Sequence, residues 1–143
     1  MKLVDANVLL YAADDRSPDH RAAYTWLDHA LGGREPIAFP WVVVLAFLRL
    51  STHPLLSDRA LTVEEATQLV EHWLGEPAAL VVHPTDRHLS LLRGLLASVG
   101  TAGNLVTDAH LGALALEHGA EIVSFDRDFE RFEGVRRRQP AEH

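Results

Sequence analysis

Three stretches of this chain carry residues whose types and spacing could do chemistry. A short strand-like run over residues 2–4 ends in Asp5, with Asn7 two positions on. Thr107-Asp108 opens a second apolar segment, and a run over 120–125 passes through Ser124 into Asp126, with Asp128 just beyond. Aspartate is a poor strand residue and costly to bury, so a charged one at the end of an apolar run needs a partner. Carboxylates gathered without a cation repel one another, and an acidic cluster therefore points to a missing positive charge. Oxygen donors with no thiolate and no paired-histidine motif suit a hard cation such as Mg²⁺ or Mn²⁺. A cation held in this way can ionise a water, orient it for in-line attack and neutralise charge on a leaving oxygen.

Each acid also has a plainer reading. Asp5 or Asn7 could cap the first free N–H groups of a helix. Asp108 could oppose a helix macrodipole, and Asp126 could be a turn or cap acid for Asp128-Phe129. What favours chemistry is the coincidence of all three at places that one fold would bring together.

That fold follows from the order of elements. Residues 2–4 read as a buried strand and Val8 begins a helix; a turn-rich loop covers 14–19. Residues 20–31 form an amphipathic helix with Ala23, Trp26, Leu27, Ala30 and Leu31 on one face, stopped by Gly32-Gly33. A short strand over 37–39 precedes Pro40, which fits the first position of a helix over 41–50 that is buried nearly all round, with Arg49 its one charge. Thr62-Val63-Glu64-Glu65 is a capping box for a helix reaching Leu74. A strand over 79–83 follows, then a helix over 86–98 capped by Thr85, a flexible loop over 100–104, and a helix over 105–118 with Gly119 as a left-handed stop. A strand over 120–125 and an edge strand over 134–138 complete the chain. Phe39, Trp41, Phe47 and Trp73 read as core. Alternating strands and helices predict an α/β fold with a central, mainly parallel sheet covered on both faces. Two strands then end in acids at the carboxyl edge, where open α/β sheets gather their ligands.

Composition narrows the class. A length of 143 residues and a hydrophobic fraction of 48% suit one domain, spanning 1–143, with a full core. The absence of cysteine excludes disulfides, thiolate zinc sites and cysteine nucleophiles. No apolar run is long enough for a membrane span, and the N-terminus lacks the pattern of a signal peptide, so a cytoplasmic protein is expected. The formal net charge is −7, a poor prior for nucleic-acid binding by bulk electrostatics. Net charge conceals local fields, however, and every base except Lys2 is arginine, whose planar fork suits phosphate. Arg16, Arg49 and the Arg136-Arg137-Arg138 run are candidate phosphate contacts, though such arginines are more often solvated surface charges.

Taken together, Leu3-Val4-Asp5-Ala6-Asn7-Val8-Leu9-Leu10-Tyr11, Thr107-Asp108-Ala109-His110-Leu111 and Val123-Ser124-Phe125-Asp126-Arg127-Asp128-Phe129 resemble the PIN-domain ribonucleases, and among them the VapC toxins of bacterial toxin–antitoxin pairs. The resemblance extends over nearly the whole chain. It implies a three-layer α/β/α fold and a Mg²⁺-dependent endoribonuclease that cuts RNA, often transfer or ribosomal RNA, leaving a 5′-phosphate and a 3′-hydroxyl and halting translation. A VapB-type antitoxin and a toxin homodimer are implied as partners. By position, Asp5, Asp108 and Asp126 would be the catalytic metal ligands, Asn7 would orient Asp5 or a water, and Thr107 and Ser124 would supply supporting hydroxyls. One departure stands out: many PIN domains carry a glutamate in the helix occupied here by residues 42–50, and the best-matching position is Ala46. That leaves two alternatives: Asp128 as the substitute, or three acids serving a single cation.

Two rivals belong to other classes. A degenerate PIN domain that binds RNA or protein without cutting is favoured by Ala46 and opposed by the retained acids; Asp5→Asn would leave its activity intact. A phosphotransfer domain with Asp5 as nucleophile would want an acid where Asn7 stands and a partner lysine that is not evident.

Overall fold

The apolar periodicity resolves, in a computed structural model describing residues 1–56, 58–100 and 103–141, into β1 (Lys2–Val4), α1 (Ala6–Ala12), α2 (His20–Leu31), β2 (Ile37–Ala38), α3 (Trp41–Thr52), α4 (Val63–Gly75), β3 (Ala79–Leu80), α5 (His88–Val99), α6 (Val106–His118), β4 (Glu121–Val123) and β5 (Arg137–Arg138). Short 3₁₀ turns cover Gly103–Leu105 and Arg127–Arg131. All strand pairings are parallel, and the spatial order is β3-β2-β1-β4-β5.

This order determines where a site can form. The chain steps outward from β1 through β2 to β3, then crosses back to lay β4 and β5 on the other side of β1. Right-handed crossovers in opposite directions put the two helix groups on opposite faces, giving three layers. The reversal lies between β1 and β4, and ligand crevices open at the carboxyl ends of such a pair. Leu3, Val4, Ile122 and Val123 are fully covered there, as expected for strands packed on both faces. α6 lies against α5 so closely that a Cβ on Gly112 would come within 3.1 Å of Leu95 Cδ1 and 3.2 Å of Val135 Cγ2. Gly119 ends α6 at φ 64°, a conformation costly for any side chain.

Several boundaries differ from expectation. The strands are shorter than their apolar runs, because ladder pairing ends before the apolar residues do: β3 stops at Leu80, β4 at Val123, and β5 comprises only Arg137–Arg138. Pro40 precedes α3 as its N-cap residue, its carbonyl accepting from Val43 and Val44 N–H. α3 is not buried all round: Trp41 is 50% and Leu45 59% exposed beside Arg49, so Trp41 is not core, whereas Phe39, Phe47 and Trp73 are. The capping box at Thr62 forms in both directions. Thr85 stands two residues before Arg87, the N-cap of α5, which begins at His88; its hydroxyl accepts from the Arg87 N–H at 3.2 Å and donates to the Glu117 carboxylate at 2.5 Å. Gly32 ends α2 in a right-handed conformation. Of the loop expected over 100–104, Gly103 and Asn104 enter a 3₁₀ turn that ends at Leu105, and Thr101 and Ala102 lie outside the described residues.

Candidate active site

Asp5 follows the last residue of β1, and the register Val4↔Val123 brings it alongside Ser124 at the end of β4. The ladder extends one step further, with Asp5 N–H donating to the Val123 carbonyl at 3.1 Å. Asp5 is also the N-cap of α1, its Oδ1 accepting from Ala6 N–H at 2.7 Å. Its other oxygen accepts from the fully buried Ser124 hydroxyl at 2.7 Å. Cap and site carboxylate are therefore the same residue, one oxygen bound to each neighbour.

Ser124 is the hub of this corner. Its oxygen accepts from Asn7 Nδ2 at 3.1 Å and from Asp126 N–H at 3.0 Å while its proton goes to Asp5. Asn7 Oδ1 accepts from Phe125 N–H at 3.3 Å. Asn7 thus orients Asp5 at one remove, by pinning the serine that bonds to it. Asp126 caps the 3₁₀ turn at Arg127–Arg131, its Oδ1 accepting from Asp128 N–H at 2.8 Å. This turn folds Asp128 back, so that oxygens of Asp108, Asp126 and Asp128 all lie within 4.8 Å of one another.

The electrostatics show the cost of the gathering. The Asp108 pKa is pushed up to about 6, chiefly by burial and then by the charges of Asp126, Asp5 and Asp128. Asp5 is also raised, chiefly by burial; the hydrogen bonds from Ser124 and Ala6 pull against it, and Asp126 repels it further. Asp5 therefore stands within electrostatic reach of the other acids, although the tightest triad is Asp108, Asp126 and Asp128. No base pairs with these four acids in a salt bridge among the described residues. Two carboxyls raised by burial and like charge, gathered with two further acids and no base, fit a divalent cation with oxygen preference.

The remaining sequence candidates divide. Thr107 is exposed one residue before Asp108 and makes no side-chain hydrogen bond among the described residues, so it supports none of the acids here. Ala46 is half-buried on α3 and offers no carboxylate. The arginines proposed for phosphate are largely engaged within the fold: Arg16 pairs with Asp14, Arg136 donates to the Gly119 carbonyl, and Arg138 pairs with Glu121. Arg137, in contrast to a solvated surface charge, is built into the corner. It is largely buried, and its Nε donates to the Asp126 carbonyl at 2.8 Å, holding the acid-bearing turn against β5. The Tyr11–Phe125 edge contact, with ring centroids 5.2 Å apart, closes the corner from the α1 side and had no sequence signal beyond two aromatics far apart in the chain.

The PIN domain family matches residues 2–135. The chain is 54% identical over 140 residues to Ribonuclease VapC37 of Mycobacterium tuberculosis, covering 98% of this chain and 97% of that protein. It is 40% identical to Ribonuclease VapC25 of the same organism, covering 98% and 99%. Among solved structures, VapBC2 from Rickettsia felis, bound to a promoter DNA fragment, superposes with a TM-score of 0.70 at 15% identity, covering 96% of this chain and 97% of that one. DNA-bound VapBC from Salmonella typhimurium gives 0.69 at 16% identity, with 98% of each chain covered. At those identities the structural likeness speaks to the fold. Among the described residues no helix is long and apolar enough to cross a membrane.

Proposed function

The chain belongs to the PIN-domain family, among its VapC-type ribonucleases, and from that membership we propose that Asp5, Asp108, Asp126 and Asp128 gather one divalent cation, Mg²⁺ or Mn²⁺, against an RNA phosphodiester. The protein is an endoribonuclease toxin partnered by a VapB-type antitoxin. The observation that supports the metal reading is the convergence of Asp108, Asp126 and Asp128 oxygens within 4.8 Å, with Asp5 held beside them by Ser124. Asp128 takes up the acidic role that Ala46 leaves open, and one compact set of oxygens suits one cation.

The bound cation supplies Lewis acidity that makes water nucleophilic near neutral pH and offsets charge on the leaving oxygen. The protein's part is to hold its donors ready. Ser124 and the Ala6 N–H each occupy one lone pair of Asp5, which limits the carboxylate to a single orientation. Asn7 keeps Ser124 from rotating, and the Asp126–Asp128 turn, anchored by Arg137, presents its two acids from the opposite wall. Such pre-orientation avoids reorganisation during the reaction. Hydrolysis leaves a 5′-phosphate and a 3′-hydroxyl. The RNA is transfer or ribosomal RNA, the toxin acts as a homodimer, and its place is the cytoplasm.

Purified protein incubated with total cellular RNA tests this, with Mg²⁺, with EDTA, and with Asp5→Asn. Discrete fragments that need both the metal and Asp5 are expected. Antitoxin-free, folded protein that cuts no more than the variant would overturn the reading in favour of a binding module.

A further inference from the structure

α6 carries Asp108 in its first turn, and little holds that end of the helix in place. Its N-cap residue, Leu105, makes no side-chain cap bond, and the chain before it is the short 3₁₀ turn at Gly103–Leu105. The Asp108 carboxylate accepts no hydrogen bond among the described residues, whereas Asp5 is bound at both oxygens. Where Asp108 stands is therefore decided by how α6 is turned about its axis. Helical side chains reach about 5–6 Å from the axis, so a rotation of about 10° swings the carboxylate by about 1 Å. A displacement of that size costs up to about 100-fold in a reaction that depends on aligned groups.

A line of polar groups that the chemistry above does not use runs along α6. Thr85 donates to Glu117 through its N–H, at 2.9 Å, and through its hydroxyl. Glu117 Oε2 accepts from His88 Nδ1 at 2.6 Å, and His88 Nε2 meets His110 Nδ1 at 2.8 Å, with ring centroids 4.7 Å apart. The Glu117 side chain is wholly covered and that of His88 nearly so, which shields these bonds from competing water. Because Glu117 claims the hydrogen on His88 Nδ1, Nε2 of the neutral ring accepts from His110 Nδ1–H. His110 and Glu117 are seven residues apart, two turns along one stripe of α6, and His88 at the start of α5 joins them. Among the described residues, the His110–His88 bond is the only side-chain hydrogen bond made by the first two turns of α6.

We propose that His88 is a positioning residue for the reaction: by bridging Glu117 and His110 across two turns of α6, it sets the rotation of that helix and so the place of the Asp108 carboxylate among the acids. The proposal rests on the metal-dependent ribonuclease reading above. Apolar contacts along α6, Gly112 against Leu95 among them, are non-directional, whereas a hydrogen bond weakens steeply as it bends. A bridge fixed at two points along the helix therefore resists a rotation that packing alone resists less. A bridge serving only the fold could sit anywhere along α6. This one ends two residues from Asp108, on the stretch with no other polar tether.

The test measures Mn²⁺ affinity of the full chain by calorimetry, together with kcat and KM for RNA cleavage, all well below the melting temperature. His88→Asn keeps a donor for Glu117 but stops short of His110. It should bind Mn²⁺ about tenfold more weakly and lower kcat about tenfold, with KM for RNA changed less than about twofold. His88→Gln, whose longer amide offers both a donor and an acceptor, should restore both quantities to within about threefold of wild type. His110→Phe cuts the same bond from the other side and should reproduce the His88→Asn losses; it decides the matter if the His88 variants do not fold. Wild-type metal affinity and kcat in folded His88→Asn, with or without a lower Tm, would overturn the proposal and leave the bridge a support of the fold. Equal losses in His88→Asn and His88→Gln would also overturn it, since the effect would then follow the ring and not its bonds. Weaker Mn²⁺ binding in His88→Asn and His110→Phe, with no RNA cut even by the wild type, would sink the ribonuclease reading and support the positioning role. A wild type that binds no Mn²⁺ would overturn both.

Discussion

Replacing Asp108 by Asn should make the metal-free protein more stable at neutral pH, the opposite of what a helix-capping role would give. Asp108 sits in the first turn of α6, where a carboxylate ordinarily gains about 0.3–1 kcal/mol from the macrodipole. Here burial and the charges of Asp126, Asp5 and Asp128 outweigh that gain and push its pKa from 3.8 to about 6. The folded chain thus holds this proton more tightly than the unfolded chain does. Its contribution to stability is complete below about pH 4, is lost as pH rises through about 6, and is level above. Some two pH units correspond to a ceiling of about 3 kcal/mol. Because Asp108 is half-exposed, water screens the repulsion, and about 1–1.5 kcal/mol is the realistic figure. For a chain of this size that is a rise of about 3–5 °C in Tm for Asp108→Asn at pH 7.5, shrinking to nearly nothing at pH 4. Thermal melts of both proteins in EDTA across that range measure it. Repeating them with excess Mn²⁺ should reverse the order, since the cation stabilises the wild type by mass action and finds one ligand fewer in the variant. If the variant melts lower than wild type in EDTA at pH 7.5, or if the difference does not change with pH, the repulsive cluster is not as described.

Three further outcomes follow from the same geometry. Ser124→Ala removes the hydroxyl shared by Asp5, Asn7 and Asp126 from a fully buried position; it should cost about 2–3 kcal/mol in urea unfolding and roughly 10–100-fold in Mn²⁺ affinity by calorimetry. Ser51→Ala removes an unpaired buried hydroxyl and should leave the RNA-free protein equally stable or more stable by about 1 kcal/mol in the same unfolding assay, whereas a loss would show that the hydroxyl has a partner after all. Glu117, whose side chain is wholly covered, accepts from His88 Nδ1 at 2.6 Å and from the N–H and hydroxyl of Thr85. Burial raises its pKa, but the bonds from Thr85 and His88 together outweigh burial and lower it. Its stabilisation is therefore present above the ordinary glutamate range and lost on acidification through its lowered pKa, and Glu117→Ala should cost about 2–4 kcal/mol at pH 7 while flattening the acid limb of the melting curve.

The amino-acid sequence by itself determined the order of elements and the identity of the acids. Apolar periodicity separated strand from helix, the Thr62 capping box and the Gly119 stop set helix ends, and the alternation of strand and helix implied a parallel sheet whose carboxyl edge would collect Asp5 and Asp126. Those signals are local, depending on residues a few positions apart, and a sequence displays them directly. What the tertiary structure alone decided is non-local. The strand order puts β1 beside β4, and only that adjacency makes Ser124 the hub between Asp5, Asn7 and Asp126. The Arg127–Arg131 turn brings Asp128 toward Asp108, placing in the acidic set a residue that the sequence offered only as a substitute for the acid missing at Ala46. Likewise, Arg137 became an anchor for Asp126 because β5 pairs with β4, and Trp41 stands half-exposed on α3 rather than in the core. Charge and hydrogen bonding act through space over a few ångströms, and residues more than a hundred positions apart acquire such distances only when the sheet closes.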